Sequence, residues 1–83
     1  MAQNKYRAAV AAQVAAILRR EREKRSLSMN AVAERAGLSQ QMVSYVEREM
    51  RNPTLDTLLR LSGALELDLA VLLKRAQKAA RQE

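Results

Sequence analysis

The stretch that decides the fold is residues 28–53, SMNAVAERAGLSQQMVSYVEREMRNP. It predicts two short helices joined by a glycine turn. Ser28 is a good N-cap for the first helix, because its hydroxyl can accept a hydrogen bond from a free amide of the first turn. Gly37 can end that helix in the left-handed conformation, and Ser39 can cap the next one. The connection between the two helices is therefore expected to be tight.

The second helix is predicted to have two distinct faces. Val43 and Val46 lie three residues apart, so they can pack together on Val32, Ala33 and Ala36 of the first helix. At about 100° per residue, the opposite face is polar, rich in long side chains and free of acids. That face consists of Gln40, Gln41, Ser44, Tyr45 and Arg48.

This segment resembles the helix-turn-helix of the phage repressor and Cro-like (XRE) family of transcriptional regulators. The resemblance is carried by Leu27, Gly37, the Ser39-Gln40-Gln41 start of the second helix, Glu47, and Asn52-Pro53-Thr54, and it covers roughly residues 14 to 73. The motif at this spacing is moderately to highly specific. It implies an all-α, compact five-helix domain that places helix 39–48 in the major groove of double-stranded DNA.

One residue departs from the family pattern. The family often has a glycine at about the position of Glu49, where the chain must leave the recognition helix, which is helix 39–48 here. Two outcomes are open. Either the recognition helix continues for about one more turn, or Glu49 takes the left-handed conformation at a cost on the order of 1 kcal/mol.

Composition limits the chemistry that this chain can perform. Its 83 residues include no cysteine and no histidine, which excludes disulfides and the usual zinc sites. There is no glycine-rich phosphate loop and no convincing pair of carboxylates, so an enzyme is the least supported class. We expect a single domain rich in leucine, valine and alanine, with no metal and no cofactor.

The charge favours a polyanionic partner. The net charge is +6 and the pI is about 10.5, and neutralising phosphates releases counterions. The alternative is an ordinary solvated basic surface. No apolar run approaches the roughly 20 residues that span a bilayer, and the amino terminus lacks the apolar core of a signal peptide. The sequence therefore predicts a cytoplasmic protein of a bacterium or phage, without a membrane partner.

The two ends of the chain extend beyond the region of resemblance. A first helix is predicted over residues 4–25, with an apolar stripe at helical spacing. The stripe contains Tyr6, Val10, Val14, Ile17 and Leu18. Residues 1–13 form a helical extension that either packs on a second protomer, lies over DNA, or is an exposed overhang. Residues 14–73 form the core, and 74–83 a polar tail that resembles a frayed helical extension.

Two more helices complete the predicted core. Thr54 caps the fourth, which runs to about Leu65, and Asp68 caps the fifth. The apolar side of the fourth helix is expected to comprise Leu55, Leu58, Leu59 and Leu61, and Leu69, Leu72 and Leu73 continue the core in the fifth. In this family the last helix and the turn before it often form the dimer contact. We therefore place a symmetric interface at Leu67, Leu69 and Val71; the alternative is that these residues close the intramolecular core.

The resemblance also suggests roles for individual residues. Arg22 matches an arginine that similar repressors pair with the glutamate of the recognition helix, here Glu47. Gln40 and Gln41 are the principal candidates for reading bases, because an amide can pair bidentately with adenine. Ser44 and Tyr45 are secondary candidates, and Gln40 could instead bind phosphate. The candidate phosphate contacts are Asn30, Ser39, Arg48, Arg51 and Asn52, whose alternative roles are capping and solvation.

Two functional hypotheses follow. The first is a sequence-specific DNA-binding transcriptional regulator, most simply a repressor, that binds a pseudo-palindromic operator as a homodimer. The second is a protein-interaction module, for example an antitoxin or adaptor, in which DNA reading is secondary or lost. The basic, acid-free face of the second helix argues against the latter.

Overall fold

A computed structural model describes residues 2–82, and over that range the secondary structure is entirely helical. The five helices are α1 (Ala2–Lys24), α2 (Met29–Ala36), α3 (Gln40–Glu47), α4 (Leu55–Ala64) and α5 (Leu69–Arg81). The prediction of an all-α, five-helix domain is confirmed. The first helix begins two residues earlier than predicted and ends one residue earlier, at Lys24.

Side chains cap the starts of the four helices that follow α1. Ser28, Ser39, Thr54 and Asp68 each accept a hydrogen bond from a backbone amide in the first turn of the helix they precede, at 2.8 to 3.1 Å. All four residues have extended backbone conformations, as an N-cap requires. These are the residues that the sequence predicts as caps.

Helices α1, α2, α3 and α4 all end in the same backbone motif. At each end one residue has a positive φ, and the amide of the residue after it bonds to a carbonyl five positions earlier, which is the Schellman motif. The left-handed residues are Ser26 (φ 56°), Gly37 (70°), Glu49 (59°) and Glu66 (57°). The bonds run from Leu27 to Arg22, Leu38 to Ala33, Met50 to Tyr45, and Leu67 to Ser62, at 2.8 to 3.1 Å.

Glu49 therefore settles how the chain leaves α3. The helix ends at Glu47, and Glu49 adopts the left-handed conformation that glycine would take without strain. The residue after each left-handed position is apolar. Leu27, Leu38 and Leu67 pack against the core, whereas Met50 is 57% exposed.

The core draws on all five helices, and the contact between α1 and α5 is the most extensive of those between helices. It does not end at Leu73, as the sequence predicts. Ala76 is fully buried and Ala80 nearly so, within a helix that continues to Arg81. The tail is thus a helix, and the prediction is wrong only in that this helix is not frayed and does not lie outside the core. Small alanines at four-residue spacing after Leu72 extend the apolar stripe of α5, while the basic residues between them remain exposed.

A buried carboxylate also joins α1 to α5. Glu21 is 8% exposed and accepts hydrogen bonds from the guanidinium groups of Arg25 and Arg75, the latter at 3.0 Å. The bond from Arg25 is the main reason that the pKa of Glu21 lies below its ordinary value of 4.5; burial opposes this effect, and Arg75 adds to it. The contact with Arg25 is local, whereas that with Arg75 spans 54 residues of sequence.

The apolar residues of α4 divide between the core and the surface. Leu61 is buried and Leu58 packs against the core, but Leu55 and Leu59 are 65% and 52% exposed. The prediction that all four form the apolar side is therefore wrong for Leu55 and Leu59. At 100° per residue these two lie about a quarter turn or more from the direction of Leu61 and Leu65, so they face away from α2 and α5.

The first part of α1 lies beside the connection from α3 to α4. Val10 packs against the core and Tyr6 is half-buried. A groove of about 660 Å³ separates the extension from that connection, and its lining includes Asn4, Arg7 and Asn52. None of the helices described over residues 2–82 combines the length and the apolar character that a membrane-spanning helix requires.

Candidate nucleic-acid interface

Packing and capping fix the orientation of α3. Val43 and Val46 are almost fully buried and hold one side of the helix in the core. The Ser39 hydroxyl accepts from the amide of Met42 at 3.0 Å, which fixes the first turn. The remaining side of the helix therefore faces outward. Helix starts carry free amides and a partial positive charge, so this end is suited to contact with an anionic ligand.

The four candidate base readers all lie on this outward side. Gln40 and Gln41 are exposed at the first turn, and Ser44 and Tyr45 are half-buried one turn later. Two of them contact each other, because Nε2 of Gln41 donates to the Tyr45 hydroxyl at 2.6 Å. The Ser44 hydroxyl accepts a long hydrogen bond of 3.5 Å from Arg48.

The candidate phosphate contacts surround the same helix and are all exposed. Ser39 and Arg48 are its two capping residues. Arg51 and Asn52 lie in the connection to α4, and Asn30 lies in the first turn of α2. The guanidinium carbon of Arg51 is 5.4 Å from the centroid of the Tyr45 ring, within the range of a cation–π interaction.

The carboxylate of Glu47 is withdrawn from the outward side. Its two oxygens accept from Nε and Nη2 of Arg22 at 2.7 and 3.0 Å. The Glu47 side chain is 5% exposed and that of Arg22 is 11% exposed. Arg22 also donates to the carbonyl of Leu27 at 2.9 Å, and the hydrogen bonds that it donates to Glu47 are the main reason that the arginine pKa lies above its ordinary value. The pair links α1, α3 and the turn before α2.

The three candidate dimer residues do not share one environment. Leu67 and Leu69 are half-buried and pack against the core of their own chain, whereas Val71 is 52% exposed. Other large apolar side chains are also exposed, namely Met50, Leu55 and Leu59. Val71 is therefore the member of the predicted set that is available to a partner without rearrangement.

Sequence reasoning missed three contacts at or near this surface. Gln41 and Tyr45 are four residues apart on a helix, and that spacing alone could have predicted their hydrogen bond. The stacking of Arg51 on Tyr45 depends on the left-handed Glu49, which the sequence leaves undecided. Arg60 donates to the carbonyl of Ala36 at the end of α2, across 24 residues, and no local pattern predicts it.

A family model described as helix-turn-helix matches residues 18–72. The chain belongs to the XRE-type helix-turn-helix family. Within this family, two similar sequences are uncharacterised HTH-type transcriptional regulators from two strains of Mycobacterium tuberculosis. Each is 41% identical over 59 residues, which cover 71% of this chain and 42% of the relative. The chain thus matches less than half the length of these relatives.

Solved structures show the same helix-turn-helix fold. The wild-type restriction-modification controller protein C.Esp1396I superposes with a TM-score of 0.80 at 20% sequence identity, covering 89% of this chain and 96% of that one. A mutant of the same controller protein gives a TM-score of 0.81 with the same coverage and identity. At this level of identity the similarity concerns the fold.

Proposed function

We propose that this chain is a sequence-specific regulator of transcription, most simply a repressor, that binds double-stranded DNA through α3. One observation carries the proposal. The capped start of α3 presents two adjacent, exposed glutamines, while the one carboxylate of that helix is turned inward onto Arg22. This leaves an outward surface that can approach a polyanion and offers amide groups to it.

The chemistry of glutamine suits the major groove. Each base pair presents a distinct pattern of donors and acceptors there, and a glutamine amide matches the N6 and N7 edge of adenine. Gln40 and Gln41 lie at the end of the helix that docks deepest in helix-turn-helix complexes. We assign base reading to these two residues first, and to Ser44 and Tyr45 second.

Backbone contacts would set the register of the protein on DNA. Arg48 and Arg51 are exposed cations beside α3, and Ser39, Asn30 and Asn52 offer neutral polar groups. The net charge of +6 favours association with DNA and makes it dependent on salt. These contacts would strengthen binding without selecting a sequence.

A homodimer on a pseudo-palindromic operator follows from the size of the reading surface. One α3 helix contacts only a few base pairs, so useful specificity favours two copies on half-sites one DNA turn apart. Val71, with Leu67 and Leu69 beside it, is our candidate for the symmetric contact. The naming of the mycobacterial relatives as transcriptional regulators supports the general proposal.

A protein-interaction module is the second candidate function. The observation in its favour is the exposed apolar pair Leu55 and Leu59 on α4, which lies outside the predicted dimer contact. A partner helix could cover such a pair. In that case α3 would keep its fold without selecting DNA.

In vitro selection on a randomised duplex library, near physiological salt, separates the two candidates. We expect the purified protein to enrich an inverted repeat with constant half-site spacing. Gln41→Ala should flatten base preference at one position per half-site, because a bidentate pair contributes about 1 to 3 kcal/mol of discrimination. Arg48→Ala is the matched control and should weaken binding to all sequences similarly. Failure to enrich any motif would favour the interaction module.

A further inference from the structure

Tyr45 makes two contacts that no other residue of α3 combines. Its hydroxyl accepts a 2.6 Å hydrogen bond from Nε2 of Gln41, and its ring lies 5.4 Å from the guanidinium carbon of Arg51. Tyr45 is half-buried, whereas Gln41 and Arg51 are exposed. It therefore joins a candidate base reader on α3 to a candidate phosphate contact in the connection that follows.

The hydroxyl determines which groups Gln41 can offer to DNA. A glutamine amide has two N–H donors and one oxygen acceptor, and pairing with adenine uses one donor and the acceptor. The bond to Tyr45 occupies the other donor. It also restrains rotation of the amide, so that the oxygen and the free N–H keep fixed positions before DNA arrives.

The ring acts separately on Arg51. An exposed arginine has many rotamers, and ordering them costs conformational entropy when a phosphate is bound. A guanidinium within about 6 Å of an aromatic centroid is attracted to the ring face. The position of Arg51 over Tyr45 is thus already restricted in the free protein.

We propose that Tyr45, until now a secondary candidate for base reading, is instead a positioning residue that orients Gln41 through its hydroxyl and Arg51 through its ring. The inference rests on the proposed function, because it assumes that Gln41 reads a base and Arg51 holds the backbone. The hydroxyl has one role, toward Gln41, and the ring has the other, toward Arg51. Each group can be removed separately.

Tyr45→Phe removes the hydroxyl and keeps the ring. We expect discrimination at the base pair read by Gln41 to fall about two- to tenfold, as for the loss of one hydrogen bond. Affinity for a nonspecific duplex should stay the same. In a Gln41→Ala background the same change should have no further effect, since the amide that it orients is absent.

Tyr45→Leu removes the ring as well. It should also weaken binding to every sequence and reduce the salt dependence by about one phosphate contact, but only while Arg51 is present. In an Arg51→Ala background this additional loss should vanish. Arg48→Ala is the matched control, because Arg48 is an exposed arginine bonded to Ser44 and not to Tyr45. Its effect should be the same with tyrosine or leucine at position 45.

Quantitative binding to the selected operator and its single-base variants tests both roles of Tyr45. Circular dichroism should show unchanged helix content in each variant. The inference is overturned if Tyr45→Phe changes preference at a different base pair from Gln41→Ala, which would make Tyr45 a direct reader. Additive effects in the two double mutants would also overturn it. A wild-type protein that selects no sequence would refute the proposed function itself, and this inference with it.

Discussion

The ion pair between Arg22 and Glu47 holds α1 against the inner side of α3. Both carboxylate oxygens are bonded, and both side chains are nearly buried. Removing one partner of such a pair leaves a charge without compensation in a poorly solvated place. The ion pair thus affects the orientation of α3 relative to α1, although neither side chain of the pair faces outward.

Arg22→Met should lower the free energy of unfolding by about 3 kcal/mol, because it strands the Glu47 carboxylate. Urea denaturation followed by circular dichroism measures the change. Arg19→Met is the matched control, since the pair between Arg19 and Glu23 has side chains 62% and 51% exposed and should contribute less than about 1 kcal/mol. Equal losses in the two variants would contradict a special role for the buried pair.

The buried carboxylate of Glu21 makes stability depend on pH. Its folded pKa lies below the ordinary value of 4.5, chiefly because Arg25 donates a hydrogen bond to it. For a lowered folded pKa, the stabilisation is present above the unfolded pKa and is lost as pH falls through the folded pKa. The loss should therefore begin below about pH 4.5 and continue towards more acidic pH.

Glu21→Gln should reduce stability at pH 7 and flatten this acid-side decline, because the amide does not titrate. Thermal melts between pH 3 and pH 7 measure both effects. Glu23→Gln, in the same helix but exposed, is the control and should leave the decline in place. A wild-type protein whose melting temperature is constant across this range would contradict the assignment.

At the scale of the helices, the repeated Schellman motif has one strained member beside the candidate interface. Glu49 has a φ of 59°, at a position where glycine adds no steric penalty. A side chain there costs roughly 1 kcal/mol or more, while glycine increases the freedom of the unfolded chain by somewhat less. The balance favours glycine.

Glu49→Gly should raise the free energy of unfolding by up to about 1 kcal/mol, measured by urea denaturation. Glu34→Gly provides the matched control, because Glu34 is exposed within α2 and glycine in a helix lowers stability by about 1 kcal/mol. If both substitutions destabilised the protein equally, the strain at Glu49 would contribute nothing measurable.

The helices also show how far the sequence predicts this molecule. Ser28, Ser39, Thr54 and Asp68 could be recognised as caps because capping depends on local residue type. The left-handed conformation of Glu49 could not be recognised, since a glutamate carries no signal for a left-handed turn. The burial of the last turns of α5 could not be predicted, because alanines separated by basic residues resemble a solvated segment. Their burial depends on packing against α1.

The candidate site likewise has some features that follow from the local sequence and others that depend on tertiary packing. The outward direction of Gln40 and Gln41 follows from helical periodicity and from the burial of Val43 and Val46. The contact of Arg51 with Tyr45 depends on how the chain bends after α3. The exposure of Leu55 depends on which side of α4 meets its neighbours, and leucine content alone does not reveal that.

For the whole molecule, two exposed apolar side chains are alternative positions for the proposed homodimer contact. Val71 on α5 and Leu59 on α4 are both 52% exposed, so replacing either should leave the monomer fold largely intact. They belong to different helices and therefore to different possible interfaces. This makes them a matched pair for a single experiment.

Val71→Glu should shift the protein from dimer to monomer, because a charge at a symmetric contact meets its own copy across the axis. Leu59→Glu should leave the dimer intact. Sedimentation velocity over a range of concentrations measures both. The opposite pattern would move the interface to α4, and a wild-type protein that is monomeric at all concentrations would contradict a homodimer that forms without DNA.

The left-handed ends of the helices also bear on how this protein can evolve. A glutamate codon becomes a glycine codon by one base change, and Glu49 and Glu66 are both held at positive φ. Each change would relieve strain without altering the core. Because the unfolded fraction governs how quickly cells degrade a small protein, these two positions offer a short mutational route to a longer-lived one.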